Sequence, residues 1–406
     1  MRIVIKSIAR LYMRILHVVE ATIAGVRTHV QVVTAGLDQR RFQSVVACPL
    51  RRENACGDDQ FVNYLTSVGI PIVPVAMRRS ISLRADAAAL WRLVGVLRRE
   101  RFDIIHLHSS KAGFLGRLAA QIARASAAVV YSPHGLSFLG DQSSAKRQLY
   151  LALERIAGRM CDRIVAVSDS EHQIIAQAGL ISPDRIVQIE NGISPITLPL
   201  GFDRAAMRSA LGQIADAPLI GTVARLSSQK NPRLFLEAAA RVLRNEPRAR
   251  FVWCGGGELL AASRAYAREL GIEAACCFLG HRSDAHQVLA ALDYFWLTSD
   301  YEGLPLAPLE AMALRVPIIA TDVVGTRDLL ASGAGLLVPH GDAAALAAAT
   351  LRLIHAPERS VALKSAGDAY YRANGTADRM LRALEQLYTD LVQRRRFAAV
   401  VPEILP

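Results

Sequence analysis

Short β-branched runs alternate along the chain with longer stretches whose apolar residues recur every three or four positions. In the first half the runs are RILHVV (14–19), SVVACP (44–49), IVPVA (72–76), IIHLH (104–108), AVVYSP (128–133), RIVAVS (163–168) and IVQIEN (186–191). Between them, Ala89, Leu90, Leu93, Val96 and Leu97 share one face of a helix, as do Leu115, Leu118, Ala119 and Ile122 further on. Strand runs separated by helical periodicity predict parallel sheets joined by crossover helices. The pattern restarts after NGISPITLPL (191–200), with LIGTVAR (219–225), RFVWCG (250–255), CCFLG (276–280), DYFWLTS (293–299), PIIATD (317–322) and GLLVP (335–339), and helical segments such as PRLFLEAAARVLR (232–244) between them. This predicts an α/β chain of two doubly wound domains, residues 1–195 and 196–379, facing each other across a cleft. A last segment, 380–406, carries a helical stripe of Met380, Leu381, Leu384, Leu387, Tyr388 and Leu391 and then Arg394, Arg395 and Arg396.

Composition agrees with two buried cores. The chain has 406 residues, 52% of them hydrophobic and 21% charged, which suits a folded chain too long for one core. No run approaches the roughly 18 consecutive apolar residues of a spanning helix. The opening MRIVIKSIARLY has a basic start but no long apolar core and no small-residue cleavage site, so it is not read as a signal peptide. Met13 opens the first strand, and the twelve residues before it read as an arm or an alternative start. Cys48, Cys56, Cys161, Cys254, Cys276 and Cys277 lack CxxC spacing, so neither a disulfide framework nor a zinc site is indicated.

The formal charge of +12 is unevenly spread: residues 1–193 carry 25 Lys and Arg against 15 Asp and Glu, and residues 194–406 carry 23 against 21. A basic first half suits an anionic membrane surface, nucleic acid or an acidic substrate. With 6% aromatics and no interleaving of aromatic with basic residues, base stacking is not indicated, and a membrane surface is the better partner.

Parallel sheets bind ligands beyond the carboxyl ends of their strands. That rule selects five stretches. SDYEGLPLAPLEAMA (299–313) places Glu302 on a loop and Glu310 on a helix that Pro308 suits in its first turn. The amides of Leu306 and Ala307 would favour an anion such as a diphosphate, with a carboxylate on either side for the paired hydroxyls of a sugar and of a ribose. GTVARLSSQKN (221–231) sets Arg225 and Lys230 on a strand-to-helix loop, where they could neutralise charge on a leaving diphosphate. VVYSPHGLSF (129–138) puts His134 at a strand end, able to donate to a hydroxyl or phosphate. IIHLHSSKAG (104–113) offers His108, Ser109 and Lys111 to an acceptor or phosphate; His106 and His108 share a strand face, with no third metal ligand evident. VEATIAGVRTHV (19–30) closes a loop at Ala24-Gly25, and CGGGELL (254–260) could lay a nucleotide on the backbone of Gly255 to Gly257. No DxD triplet occurs, so a metal clamped on a diphosphate by that device is not supported.

Taken together these residues resemble the retaining family 4 glycosyltransferases of the GT-B fold. The resemblance is carried by Glu302 and Glu310 as E-x7-E in YEGLPLAPLEAMALRVPIIATD, by Arg225 and Lys230, and by NGI (191–193), PHG (133–135) and SDSE (168–171) in family order. It spans nearly the whole chain. It implies two facing Rossmann-like domains, the first holding the acceptor and the second the nucleotide-sugar, with the last helix crossing back to the first. Arg225 and Lys230 would bind the diphosphate, Glu310 the ribose and Glu302 the vicinity of the donor sugar, with Gly25 near the diphosphate. His134 would touch the donor or a phosphate, and Gly256, Gly303, Leu304, Pro305 and Leu306 would complete the donor site. The acceptor would lie by His108, Ser109 and Lys111. The leaving phosphate would help take the acceptor proton on the same face, with no metal and no cofactor beyond the nucleotide-sugar co-substrate.

Three positions depart from the family: Ala24-Gly25 replaces a glycine pair, Val323-Val324 precedes Gly325 where another is usual, and Asp328 stands for a glutamate. The implied activity is transfer of a hexose, from a UDP- rather than a GDP-sugar, to a glycan or lipid-linked saccharide of exopolysaccharide, capsule or lipopolysaccharide synthesis. The enzyme would be cytoplasmic and peripheral at the inner membrane face. A nucleotide-sugar epimerase of the same fold, or a non-catalytic nucleotide- or nucleic-acid-binding protein, are the alternatives.

Overall fold

In the computed structural model, residues 12–51, 59–78, 80–136, 138, 143–212 and 216–400 are described. Cys56 and the arm before Tyr12 lie outside them. The thirteen runs of the sequence pattern all form strands: β1 (Met13–Val19), β2 (Phe42–Cys48), β3 (Ile72–Pro74), β4 (Ile104–His108), β5 (Ala128–Ser132), β6 (Arg163–Ala166) and β7 (Ile186–Gln188), then β8 (Leu219–Val223), β9 (Arg250–Cys254), β10 (Cys276–Gly280), β11 (Tyr294–Leu297), β12 (Ile318–Thr321) and β13 (Leu336–Val338). The chain divides into two compact units, one formed by residues up to Ile189 together with those from Asp378, the other by Glu190–Ala377.

The first unit holds a seven-stranded sheet in the order β3-β2-β1-β4-β5-β6-β7, the second a six-stranded sheet in the order β10-β9-β8-β11-β12-β13. Every pairing is parallel. β4, β5, β11 and β12 are buried along their whole length, as expected of parallel strands covered by helices on both faces. In each sheet the strand order reverses at one place, between β1 and β4 and between β8 and β11. Such a switch point opens a crevice beyond the strand ends. Beyond β1, β4, β8 and β11 lie Gly25, at the start of the following helix, and the loop residues Ser109, Arg225 and Glu302.

The core of the second unit is built on aromatic rings in edge contact, Phe235 with Trp253, Trp296 and Phe251 at centroid separations of 5.1, 5.2 and 6.2 Å. Both indoles are buried and both satisfy their N–H: Trp253 donates to the Ala224 carbonyl at 2.8 Å and Trp296 to Thr350 Oγ1 at 2.9 Å. In the first unit the final helix, Ala377–Val400, is amphipathic. Met380, Leu381, Leu384, Leu387, Tyr388, Leu391 and Val392 are buried, while Arg395 grips Asp162 through two hydrogen bonds of 2.9 and 2.8 Å. Gly36 lets this helix approach, since a Cβ there would stand 2.4 Å from Leu381 Cδ1. The described cysteines carry free thiols. No helix among the described residues is long and apolar enough to cross a membrane.

Tyr388 joins this helix to the sheet: its ring packs edge-on against Phe42 and its hydroxyl bonds His106 Nδ1 at 2.6 Å. Tyr388→Ala is expected to lower stability by about 3–5 kcal/mol, as for other buried aromatics cut to alanine. Urea unfolding checks this, and a loss under about 1 kcal/mol would mean that the helix contributes little to the first core.

Candidate active site

In the second unit two loops are stitched together. After β8 the backbone of Ala224–Leu226 runs hard against Gly255–Gly257: Leu226 N donates to the Gly256 carbonyl at 2.9 Å, and a Cβ on Gly255 or Gly257 would come within 2.0 Å of Ala224 O or 2.2 Å of Leu226 O. Those two positions therefore require glycine for backbone packing. Gly256 alone keeps an open face, with its nearest neighbour, His281 N, 3.8 Å away. Arg225 projects from this loop with Nη2 2.7 Å from Glu258 Oε2.

Lys230 ends a short turn, Ser228–Lys230, and its Nζ pairs with Glu302 Oε1. The same oxygen accepts from Ser299 Oγ at 2.6 Å, and Glu302 is buried. The two loops are tied at four further points: Thr298 Oγ1 donates to Lys230 O (2.8 Å), Asp300 N to Gln229 O (2.8 Å), Gln229 Nε2 to Tyr301 O (2.9 Å) and Asn231 Nδ2 to Asp300 Oδ1 (2.8 Å). Asn231 also caps the helix Pro232–Leu243 from a left-handed backbone (φ +46°), a conformation asparagine tolerates.

The helix carrying Glu310 spans Leu306–Ala313, with Pro308 in its first turn as expected. Pro305 stands at the N-cap and supplies no side-chain acceptor, so the amides of Leu306 and Ala307 lack a capping side chain. Two residues brace the loop before it. Asn191 of NGI donates to Leu304 O at 2.9 Å, and Gly325 (φ +82°) lies so close that a Cβ would stand 1.9 Å from Gly303 O. Glu310 faces His286 at 3.6 Å, and the carboxylate raises the imidazole pKa above its ordinary value. Glu258 and His286 were not singled out in the sequence because each is a partner supplied by a different loop or helix, and Ser299, three residues before Glu302, because a serine at a strand end does not announce its acceptor.

In the first unit the candidate residues lie on and just beyond the loops after β1, β4 and β5. Ala24 begins the helix Ala24–Gly36 at φ +54°, the left-handed conformation for which glycine is usual, and nothing lies within 4 Å of a Cβ built on Gly25. Ser109 precedes the helix Ser110–Ala123 at φ +72°. Lys111 is held by Asp86 at 2.7 Å and by Ser80 O at 2.5 Å, so its charge is already matched. His134 also has a left-handed backbone (φ +54°), and its turn is fixed from behind by SDSE. There Ser168 caps Glu171 N, while the Glu171 carboxylate accepts from Gly135 N at 3.2 Å and Val167 N at 2.8 Å.

The expectation that His106 and His108 stand without a third imidazole is corrected. β1 and β4 pair in a register that sets His17 against His106, and His29 from the first helix and His134 close in as well. His17 Nδ1 lies 3.1 Å from His108 Nε2, and His108 Nδ1 lies 3.0 Å from His134 Nε2. His106 bonds Tyr388 and, at 2.8 Å, Ser132 Oγ. The sequence signal was there in ILHVV and RTHV, but only the sheet order shows that β1 lies beside β4.

Burial drives the pKa of His17 down to about 3 from 6.5 and holds His106 and His108 well below that ordinary value. Below about pH 6.5 the unfolded chain binds protons at these rings and the folded chain does not. Stability is thus fully present above that pH and is lost as pH falls toward the folded values, by up to about 1.4 kcal/mol per pH unit for each ring. Urea midpoints should be flat above pH 7 and drop below pH 6.5. A midpoint unchanged down to pH 5 would mean that the rings are solvated.

Comparison with known proteins places this geometry. Residues 203–369 match the family "Glycosyl transferases group 1" and residues 24–192 match the "Glycosyl transferase 4-like domain". A UDP-Gal:alpha-D-GlcNAc-diphosphoundecaprenol alpha-1,3-galactosyltransferase of Escherichia coli is 32% identical over 62% of this chain and 66% of its own length. The putative glycosyltransferase EpsD of Bacillus subtilis is 31% identical over 70% of this chain and 76% of its own. Among solved structures, HepE of Anabaena, in complex with UDP-glucose, superposes with a TM-score of 0.79 at 22% identity, covering 93% of this chain and 100% of that one. The two parallel sheets with alternating helices are those of the GT-B fold, and the chain belongs to the family 4 type of glycosyltransferases.

Proposed function

We propose that the protein is a retaining hexosyltransferase that moves a hexose from a UDP-sugar to a lipid-linked saccharide in the synthesis of a surface polysaccharide. The observation that carries this reading is the stitched pair of loops in the second unit. Arg225 and Lys230 are held by Glu258 and Glu302 at the carboxyl ends of β8 and β11, beside a helix start without a capping side chain. Two cations and free amides suit a diphosphate. Bound there, a diphosphate would compete with the two carboxylates for Arg225 and Lys230, which would then neutralise the leaving group. Glu310 would take the ribose hydroxyls and Glu302 would lie by the donor sugar, while His134 contacts the donor or a phosphate. The acceptor attacks from the face of the leaving phosphate, which takes its proton, so the anomeric configuration is kept and no metal is needed. The name of the E. coli relative, with its UDP-galactose donor and diphosphoundecaprenol-linked acceptor, supports the choice of donor and acceptor class.

A panel of UDP- and GDP-hexoses tests the donor. A UDP-hexose should raise the melting temperature of the wild type by mass action and leave Glu310→Ala unmoved. Lys230→Ala should lose about 10²- to 10³-fold in kcat. With a polyprenyl diphosphate sugar as acceptor, the product should keep the α configuration by NMR and form undiminished in EDTA. A β product overturns retention, loss in EDTA overturns metal independence, and no shift with any nucleotide sugar overturns the donor site.

The basic first half supports a cytoplasmic protein bound to the inner membrane face. On the helix Leu83–Arg99 and just before it, Ile81, Leu83 and Trp91 are exposed beside Arg84, Arg92 and Arg98, and on Ser144–Gly158, Leu149 and Ile156 are exposed beside Lys146, Arg147 and Arg155. Exposed apolar groups among cations suit an anionic lipid surface. The protein should sediment with anionic vesicles at low salt and less so at high salt. Sedimentation with anionic vesicles that is the same at low and high salt would remove the anionic membrane surface from the reading.

A further inference from the structure

The histidines of the first unit form an ordered hydrogen-bonded row with a polar group at its buried end. Ser44 Oγ on β2 lies 3.4 Å from His17 Nε2, His17 Nδ1 lies 3.1 Å from His108 Nε2, and His108 Nδ1 lies 3.0 Å from His134 Nε2. His17 and His108 each use both ring nitrogens, on opposite edges, for two different partners. Their lone pairs therefore face neighbouring rings in sequence rather than one shared point, which suits shared protons better than a metal ion.

A neutral imidazole carries one N–H and one lone pair. Burial keeps His17, His108 and His134 neutral. Two N–H groups cannot face each other across a hydrogen bond, nor can two lone pairs, so the tautomer of each ring dictates that of the next. The row has only two registers. In the first, Ser44 donates to His17 Nε2, His17 Nδ1–H to His108 Nε2 and His108 Nδ1–H to His134 Nε2, leaving His134 with its proton on Nδ1. In the second every bond is reversed, His17 donates to Ser44, and the Ser44 hydroxyl proton must find another acceptor. Ser44 is buried, and among the described residues its side chain has this one hydrogen bond. The second register thus strands a buried hydroxyl proton, which is unfavourable enough to select the first.

We propose that Ser44, His17 and His108 are positioning residues that lock His134 as the Nδ1–H tautomer, so that the ring edge left over from the row is a hydrogen-bond donor. A donor suits an oxygen of a sugar hydroxyl or a phosphate and excludes service as a general base at that nitrogen. The backbone of His134, held at φ +54° by the Glu171–Gly135 bond, fixes the ring's direction, and the row fixes its proton. The step from tautomer to turnover rests on the proposed contact of His134 with the substrate.

Nitrogen-15 NMR of the full chain with labelled histidine reads the tautomer directly, with His134→Gln identifying the signal. The wild type should show Nδ1–H at His134. Ser44→Ala, a mild change at the far end of the row, should mix the two tautomers and lower kcat/KM by about tenfold, the size of one hydrogen bond. Ser44→Thr keeps the hydroxyl and should restore both readouts. His17→Phe breaks the row one ring nearer and should also mix the tautomers. An Nε2–H tautomer in the wild type, an unmixed Nδ1–H signal in folded Ser44→Ala, or zinc bound stoichiometrically by these rings would each overturn the lock. A His134→Gln variant of full activity would instead overturn the substrate contact and leave the tautomer result standing.

Discussion

Strands covered by helices on both faces cannot hold an ion along their length, because removing a charge from water without a partner costs several kcal/mol. The rest of the molecule follows from that constraint. Charged groups collect at the strand ends, and the switch points between β1 and β4 and between β8 and β11 open those ends into crevices. Glu302 follows β11 and is buried together with its counter-ion, Lys230, and a donor hydroxyl, Ser299. Where polar side chains do lie within strands, as at His17, His106 and His108, they are kept neutral and hydrogen-bonded to one another, to Tyr388 or to serines. Both units bury a paired charge, Lys230–Glu302 in the second and Arg117–Glu154 in the first, and the first adds a row of uncharged rings.

Much of this was legible in the sequence. The thirteen strand runs are legible as short β-branched, aromatic or aliphatic stretches, and most differences lie at the ends. The runs RIVAVS and IVQIEN extend past their strands because Ser168 serves as a helix cap and Asn191 as a brace for the loop at Leu304, roles a polar residue after an apolar run does not advertise. β2 starts before the run SVVACP, at Phe42, whose ring lies against Tyr388, more than three hundred residues later in the chain.

The site was legible where spacing carries it. Glu302, Glu310, Arg225 and Lys230 sit on strand-to-helix loops, and those loops follow strands that can be read in order. Their partners were not legible. Glu258 and His286 depend on which loops and helices become neighbours, His17 on the register of β1 against β4, and His29 on how the helix Ala24–Gly36 packs against them. A lysine reads as free until its aspartate is found on another helix, as Lys111 shows with Asp86. The glycines of CGGGELL read as an approach for a ligand, yet two of them are required by the carbonyls of Ala224 and Leu226. In each case the residue type was informative about what kind of group it is and silent about what it touches.

The division of the chain has a consequence for its synthesis. The second unit is one uninterrupted segment, Glu190–Ala377, set between the two pieces of the first. A ribosome releases the whole of the second unit before it makes the helix that carries Tyr388 and Leu381. Until that last segment emerges, the first sheet lacks the apolar stripe that covers Phe42 and the hydroxyl that satisfies His106. The unit begun first is therefore the unit completed last, and a nascent chain holds an open hydrophobic face throughout translation of the other unit, a period in which chaperone binding has its greatest opportunity.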